Sequence, residues 1–206
     1  MNRSIMIFIG ILVMTSFTLA ATTGSISGKV TGVPAPHAMP GAFAQPPAPS
    51  VVYAILTGEH PAAPAQTVIV DQQWGAFNPQ VAAVAVGGTV EFRNNDTVKH
   101  NVKWDAIGED KALAHDLGSW QPGQTVRYTF THAGAIHLEC ALHPHMSGWI
   151  MVVPTPYYAV TSPNGTFTIT HLPSGKYRLV AWHAHLPSKS QAVAVEGNSV
   201  NVTVKF

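Results

Sequence analysis

Alternation of apolar and polar residues is the dominant pattern along this chain. Most of it falls into short runs with a period of two, bounded by Gly, Pro, Asn or Asp, which is typical of β-strands with one buried face. Twelve such runs occur: SISGKV, VVYAIL, TVIV, TVEFRN, KHNVKW, TVRYTF, AIHLEC, WIMVV, TFTIT, KYRLVAW, AVAV and VNVTVKF. Because no stretch carries a convincing helical period, the pattern predicts an all-β protein.

Two stretches interrupt this pattern. Residues 33–50 hold six prolines and five alanines, a composition that predicts an exposed linker or long surface loop. Residues 105–120, DAIGEDKALAHDLGSW, are expected to form chiefly a loop, with room for one helical turn. The length of 206 residues allows one or two domains with proper cores.

Composition narrows the possible functions. Only 10% of the residues are charged, against about 25% in an average protein. Eleven Lys and Arg oppose ten Asp and Glu, so the chain has no strong field to attract nucleic acid or an anionic membrane, and a nucleic-acid partner is disfavoured. Eleven histidines accompany a single cysteine, which makes metal chemistry worth testing.

The N-terminus has the features of an export signal. Arg3 precedes an apolar run over residues 5–19, followed by small residues, which predicts a signal peptide at 1–20 with cleavage after Ala20. An uncleaved anchor stays open, although the run is shorter than the roughly 20 residues of a membrane span. Without Arg3 the mature chain has ten basic and ten acidic residues. Exported chains meet oxidising conditions, so the unpaired Cys140 requires another explanation, such as metal binding.

Three possible metal ligands follow one another on a short loop. The alternation in AIHLEC places Cys140 at the end of a strand and on its inward face. The next residues bring His143 and Met146, in the spacing C-x-x-H-x-x-M. A thiolate, an imidazole and a thioether are therefore available within seven residues.

A fourth possible ligand lies upstream. In KHNVKW, His100 is in phase with Val98, Val102 and Trp104, which predicts an inward side chain. Two imidazoles and a thiolate with a weak axial thioether are the ligand set of a blue-copper electron-transfer centre. The sequence therefore predicts one copper ion per chain, held by His100, Cys140, His143 and Met146.

Residues 66–153 resemble the cupredoxin family in the segments FNPQVAAVAVGGTVEFRNNDTVKHNVKW and GQTVRYTFTHAGAIHLECALHPHMSGWIMV. The loop CALHPHM is most similar to the amicyanin type, with minimal ligand spacing and a proline after the histidine. The resemblance implies a Greek-key β-sandwich with a type 1 copper site. It also implies that Asn101, just behind the ligands, ties the two ligand loops together.

The rest of the chain resembles a carboxypeptidase regulatory-like β-sandwich, in GSISGKVTG at 24–32 and NGTFTITHLPSGKYRLVAWH at 164–183. Taken together, the two parts of the chain resemble exported, methylamine-utilisation-type cupredoxins. They imply that residues 24–60 supply the first strands of the second sandwich, 66–153 the copper domain and 154–206 the remaining strands. The strand at 24–31 is then expected to pack with strands after Pro156.

Three other histidines and three other kinds of chemistry are alternatives to this set. For His145, both a surface position and a role in metal binding are compatible with the sequence. The residues His183 and His185 are more typical of a structural or solvated pair than of metal ligands. A multicopper oxidase is excluded because its H-C-H motif is missing around Cys140. Structural zinc is disfavoured because one thiol is too few. A cysteine hydrolase is disfavoured because it requires a helix N-terminus and an oxyanion hole, whereas Cys140 ends a predicted strand.

The predicted function is therefore not enzymatic. We expect a periplasmic type 1 copper protein that shuttles single electrons between redox partner proteins and has no membrane span after signal cleavage. The alternative is a periplasmic copper carrier or scavenger that hands over the metal, and an extracytoplasmic adhesion or assembly module would depend on the second sandwich alone.

Overall fold

The computed structural model describes residues 22–34, 48–58 and 61–206. The predicted signal peptide and most of the proline-rich segment lie outside these residues. The first eight strands are β1 (Thr23–Thr31), β2 (Val51–Leu56), β3 (Thr67–Gln73), β4 (Ala76–Asn78), β5 (Val81–Ala85), β6 (Thr89–Asn94), β7 (His100–Trp104) and β8 (His115–Trp120). The next eight are β9 (Thr125–Thr129), β10 (Gly134–Glu139), β11 (Ser147–Val153), β12 (Tyr158–Val160), β13 (Thr166–Pro173), β14 (Gly175–His183), β15 (Leu186–Val195) and β16 (Ser199–Lys205).

The strands form four sheets. Sheet 1 has the order β4-β3-β6-β9, sheet 2 the order β5-β11-β10-β7-β8, sheet 3 the order β12-β2-β14-β15 and sheet 4 the order β13-β1-β16. One 3₁₀ turn, Lys111–Leu113, accompanies them. The all-β fold class is confirmed. Within the part of the chain that the structure describes, no helix is long and apolar enough to cross a membrane.

Three apolar cores join the four sheets into one stack. Sheets 1 and 2 enclose the first core, which contains Phe92 and Ile150. Sheets 3 and 4 enclose another, which contains Ile26 and Leu179. A third core lies between sheets 2 and 3, where Met151 and other residues of β5 and β11 pack against strands β2 and β14. The molecule therefore consists of two sandwiches packed face to face, with apolar side chains on both faces of the two central sheets.

This stacking explains one strand that the alternation pattern did not predict. All five residues of β5 are buried, because Ala82 and Val84 contribute to the first core while Val81, Ala83 and Ala85 contribute to the third. A strand covered on both faces has no polar positions and hence no alternation.

Three further strands are also absent from the twelve predicted runs. The edge strand β8 lies within residues 105–120, where a loop was expected, and the short strands β4 and β12 have three residues each. By contrast, Val126 and Tyr128 of β9 do pack against the first core, as the alternation predicts.

The second sandwich is assembled from both ends of the described chain. Strand β1 pairs in parallel with β16 and antiparallel with β13, and β2 pairs with both β12 and β14. The strands of sheets 1 and 2 all lie between β2 and β12 in the sequence. The domain boundaries at 24–60, 66–153 and 154–206, and the resemblance to a carboxypeptidase regulatory-like sandwich, stay predictions.

Candidate metal centre

Strand pairing in sheet 2 brings the two potential ligand segments together. Strands β7 and β10 run antiparallel with Lys103 opposite Glu139, so the start of β7 lies beside the loop that follows β10. His100 is the first residue of β7, and Cys140 comes directly after β10. Val98 was expected to point inward with His100, but it is 46% exposed because β7 begins only at His100.

The loop from Cys140 to Met146 consists of two successive tight turns. The amide of His143 donates to the carbonyl of Cys140 at 3.2 Å, and the amide of Met146 donates to the carbonyl of His143 at 2.9 Å. The three-residue period places Cys140 and Met146 in the first core and leaves His143 partly exposed. The residues between them, Ala141, Leu142, Pro144 and His145, are exposed.

Three donor atoms converge at this point. The Nδ1 atoms of His100 and His143 lie 3.0 Å apart, and the Cys140 Sγ lies 3.6 Å from the Nδ1 of His143 and 4.0 Å from that of His100. All three donors lie within 4.8 Å of one another, and among the described residues they form a candidate metal site. Cys140 and His100 are buried, so His143 provides the part of this group that reaches solvent.

Asn101 connects the two ligand segments. Its Oδ1 accepts from the backbone amide of Ala141 at 3.0 Å. Its backbone amide donates to the Cys140 Sγ at 3.4 Å. Its Nδ2 donates to the Asp116 carboxylate and the Gly118 carbonyl, which anchors the side chain to β8. Asn101 therefore contacts the Cys140 sulfur, the loop that follows it and strand β8 at once.

Asp96 is a further polar residue beside the candidate metal site, and the sequence pattern does not single it out. Its Oδ2 lies 3.1 Å from the Nε2 of His100, on the side of the ring away from Cys140. The amides of Gly75 and Thr97 also donate to this carboxylate. These two amides, followed by His100, lower the pKa of Asp96 to about 2. In NNDTVKH, Asp96 has the features of an ordinary turn residue, and its position four residues before His100 is the one available signal.

The three other histidines that the sequence singles out stand apart from the three donors. The exposed ring of His145 lies 6.1 Å from that of His143, between ring centres. His183 is buried, and its two ring nitrogens lie 2.6 Å and 3.1 Å from the carbonyl oxygens of Ala184 and Ala48. His185 packs edge-on against Trp149. The structure therefore does not bring these three residues to the candidate metal site.

Comparison with known proteins gives the family of the segment that carries the site. Residues 65–153 match the sequence model of the family described as copper binding proteins, plastocyanin/azurin family. This segment of the chain is therefore similar to the cupredoxins. The match supports copper binding and electron transfer as the coarse function of the unit formed by sheets 1 and 2.

Solved cupredoxin structures are similar to part of the chain. The reduced state of an amicyanin variant is 28% identical, with 49% of this chain and 99% of that chain covered and a TM-score of 0.39. A purple cupredoxin from Nitrosopumilus maritimus is 21% identical, with 44% of this chain and 100% of that chain covered and a TM-score of 0.37.

The donor set fits the copper ion of a cupredoxin. Two ligand atoms that each lie about 2.0–2.3 Å from one first-row metal ion stand about 3.3–3.9 Å apart. The three separations between donors, from 3.0 to 4.0 Å, are close to this range. Imidazole and thiolate ligands are also chemically suited to copper, and the Met146 side chain lies in the same core as Cys140.

Proposed function

We propose that the protein is an exported electron carrier whose copper ion is held by His100, Cys140, His143 and Met146. The observation that carries the proposal is the convergence of two imidazole nitrogens and one cysteine sulfur from two separate segments, within 4.8 Å of one another. Copper in this ligand set supplies a one-electron couple, Cu(I) and Cu(II), in a single geometry.

The surrounding residues keep the ligands in place and exclude water. His100 and Met146 are 0% and 1% exposed, and Cys140 is 3% exposed. Asn101 holds the loop after Cys140 against the start of β7, so ligands from the two segments stay in register. A ligand set that does not move between oxidation states keeps the reorganisation energy of electron transfer small.

The partly exposed edge of His143 is the proposed point of electron exchange. Leu142, which is 47% exposed, and the exposed Pro144 flank it with apolar surface. Because acidic and basic residues nearly balance in this chain, docking through apolar contact is favoured over electrostatic steering. The proposed partners are an electron donor and an acceptor protein in the periplasm, reached through the predicted signal peptide, and the protein itself catalyses no reaction.

The test is a redox titration of the copper-loaded mature chain. We expect one copper per chain, an intense visible band from thiolate-to-copper charge transfer, and reversible bleaching on reduction. Cys140→Ser should abolish the band, and His100→Ala should weaken copper binding. His132→Ala, at an exposed histidine outside the site, is the matched control and should behave as the wild type. Retention of the band in Cys140→Ser would show that the ligand assignment is wrong.

The same sample separates electron transfer from copper carriage. An electron carrier keeps its copper through repeated reduction and oxidation in the presence of a Cu(I) chelator. A copper carrier loses the ion to the chelator once it is reduced. Loss of copper on reduction would therefore favour the alternative function over the one proposed here.

A further inference from the structure

A small pocket opens into the second sandwich where β1 ends. It has a volume of about 200 Å³ and is lined by the end of β1 and the residues after it, by the residues just before β2, and by the turn between β12 and β13. None of the described residues that line it belongs to sheets 1 or 2, so the pocket is separate from the candidate metal site. Pockets for drug-sized ligands measure roughly 300–1,000 Å³, so this volume favours an ion or a small molecule.

Two buried hydroxyl groups lie close together in the lining. Ser50 and Thr161 are 2% and 6% exposed. The backbone amide of Ser50 donates to the Oγ1 of Thr161 at 2.9 Å, and the backbone amide of Thr161 donates to the carbonyl of Ser50 at 2.8 Å. Within the part of the chain that the structure describes, the Ser50 hydroxyl forms no hydrogen bond and the Thr161 hydroxyl only accepts. Because a buried hydroxyl without a partner is costly, both hydroxyl protons require an acceptor in the pocket.

The turn between β12 and β13 adds a third donor. The Oδ1 of Asn164 accepts from the Thr166 backbone amide at 3.1 Å, from the Thr166 hydroxyl at 2.8 Å and from the Ser162 hydroxyl at 2.6 Å. A backbone amide can only donate, so its contact fixes which end of the Asn164 side chain is the oxygen. The Nδ2 of Asn164, which forms no hydrogen bond to a described residue, is therefore available to a ligand in the pocket.

The lining also carries positive charge. Lys29 lines the pocket and forms no ion pair with any residue that the structure describes. No Asp or Glu is found among the described lining residues. At the outer edge, Lys205 and a backbone oxygen of Phe206 border Gly32. The pocket thus offers one ammonium group and three uncharged donors, whereas the fold itself already uses the Asn164 and Thr161 side-chain oxygens as acceptors.

We propose that this pocket binds a small oxyanion of the carboxylate or phosphate class, either as the free ion or as a group on a small molecule. An oxyanion presents acceptors on all sides, so it pairs with the Ser50, Thr161 and Asn164 donors and with the Lys29 ammonium. A cation would find no carboxylate among the described lining residues. A neutral polyol would form only the weaker hydrogen bonds that carry no charge. Because the pocket lies in the second sandwich, its occupancy does not depend on copper.

An NMR titration of the full mature chain tests the site directly. Inorganic phosphate and acetate should shift the amide signals of Ser50 and Thr161 in a saturable way, and the neutral polyol glycerol should not. Glycerol 3-phosphate separates the two sources of the oxyanion. Tighter binding than that of inorganic phosphate indicates a group on a larger molecule, and equal binding indicates the free ion. Saturable shifts with glycerol alone, or with none of these probes, would overturn the proposal.

Three variants test the assignment of the donors. Asn164→Asp keeps the oxygen that accepts from Thr166 but replaces the Nδ2 donor with a second, negatively charged acceptor. Ser50→Ala removes the buried hydroxyl, and Lys29→Gln removes the charge at an exposed position where the fold is not at risk. We expect the phosphate affinity of each variant to be lower by about 10-fold or more, because hydrogen bonds to a charged group are lost.

The matched controls change the same residue types outside the pocket. Ser190→Ala and Lys189→Gln lie at exposed positions of β15 and should bind phosphate as the wild type does. Wild-type affinity in both Asn164→Asp and Lys29→Gln would overturn the proposal, whatever the stability of Ser50→Ala. All five variants should keep the visible copper band, so failure of this site and failure of the proposed function are distinguishable.

Discussion

The ring of His185 stands edge-on against the indole of Trp149, with 5.5 Å between the ring centres and an angle of 86° between the planes. Trp149 lies in β11, three residues after Met146, and His185 lies in the turn between β14 and β15. The second sandwich therefore contacts the strand that continues directly from the ligand loop. The contact is extended by Trp182, whose ring lies 5.7 Å from that of Trp149.

This contact predicts that the two sandwiches stabilise each other. Trp182→Ala removes a large side chain that is 9% exposed from the core between sheets 2 and 3. We expect the free energy of unfolding of the metal-free protein to fall by about 3 to 5 kcal/mol, measured by denaturant titration. His171→Ala, at an exposed position on β13, is the control and should change it little. An unchanged value for Trp182→Ala would show that the sandwiches are energetically independent.

Met146 is predicted to be the axial ligand. Met146→Gln replaces a thioether with an oxygen donor, which stabilises Cu(II) more than Cu(I), so copper should stay bound while the reduction potential falls. Voltammetry of the copper-loaded variant measures this shift. Met151→Gln is the matched control, because Met151 packs in the core between sheets 2 and 3. An equal potential in wild type and Met146→Gln would indicate that Met146 only fills the core.

Acid stability should depend on Asp96. Its pKa of about 2 in the folded protein is lower than about 3.9 in an unfolded chain, so the folded state favours the ionised carboxylate. The resulting stability is fully present above about pH 4 and is lost as the pH falls through about 2. Thermal melting of the metal-free protein should show a smaller loss of melting temperature between pH 4 and pH 2 in Asp96→Asn than in the wild type. Glu109→Gln, at an exposed position, is the control and should follow the wild type.

Glycine at position 28 is predicted to be essential for the central strand of sheet 4. A Cβ there would lie 2.1 Å from the carbonyl oxygen of Val202 in β16, so the backbone would have to move. Gly28→Ala should destabilise the second sandwich by about 1 to 3 kcal/mol. Lys29→Ala, at the next and exposed position, should not. Denaturant unfolding of the metal-free protein measures both, and equal midpoints would contradict the prediction.

The fold could be predicted from sequence wherever one face of a strand is buried and the other is solvated. The pattern fails where burial departs from that rule: β5 is covered on both faces, and the edge strand β8 buries only Trp120. The four possible copper ligands carry a signal because their spacing is specific. For Asp96 the one signal is its position four residues before His100, and that signal is weak because a turn aspartate contacts His100 only after the chain has folded back on itself.

The parallel pairing of β1 with β16 has a consequence for how the chain is made. Synthesis proceeds from the N-terminus, and units fold as their residues become available. All strands of sheets 1 and 2 have been synthesised when residue 153 has been added, whereas β1 lacks its neighbours until β13 and β16 are made. The sandwich of sheets 1 and 2 can therefore close around its core while Ile26 and Val30 still lack the residues that β13 to β16 contribute to theirs. A chain cut before β13 would therefore hold every strand of the first sandwich but leave β1 without either of its neighbours.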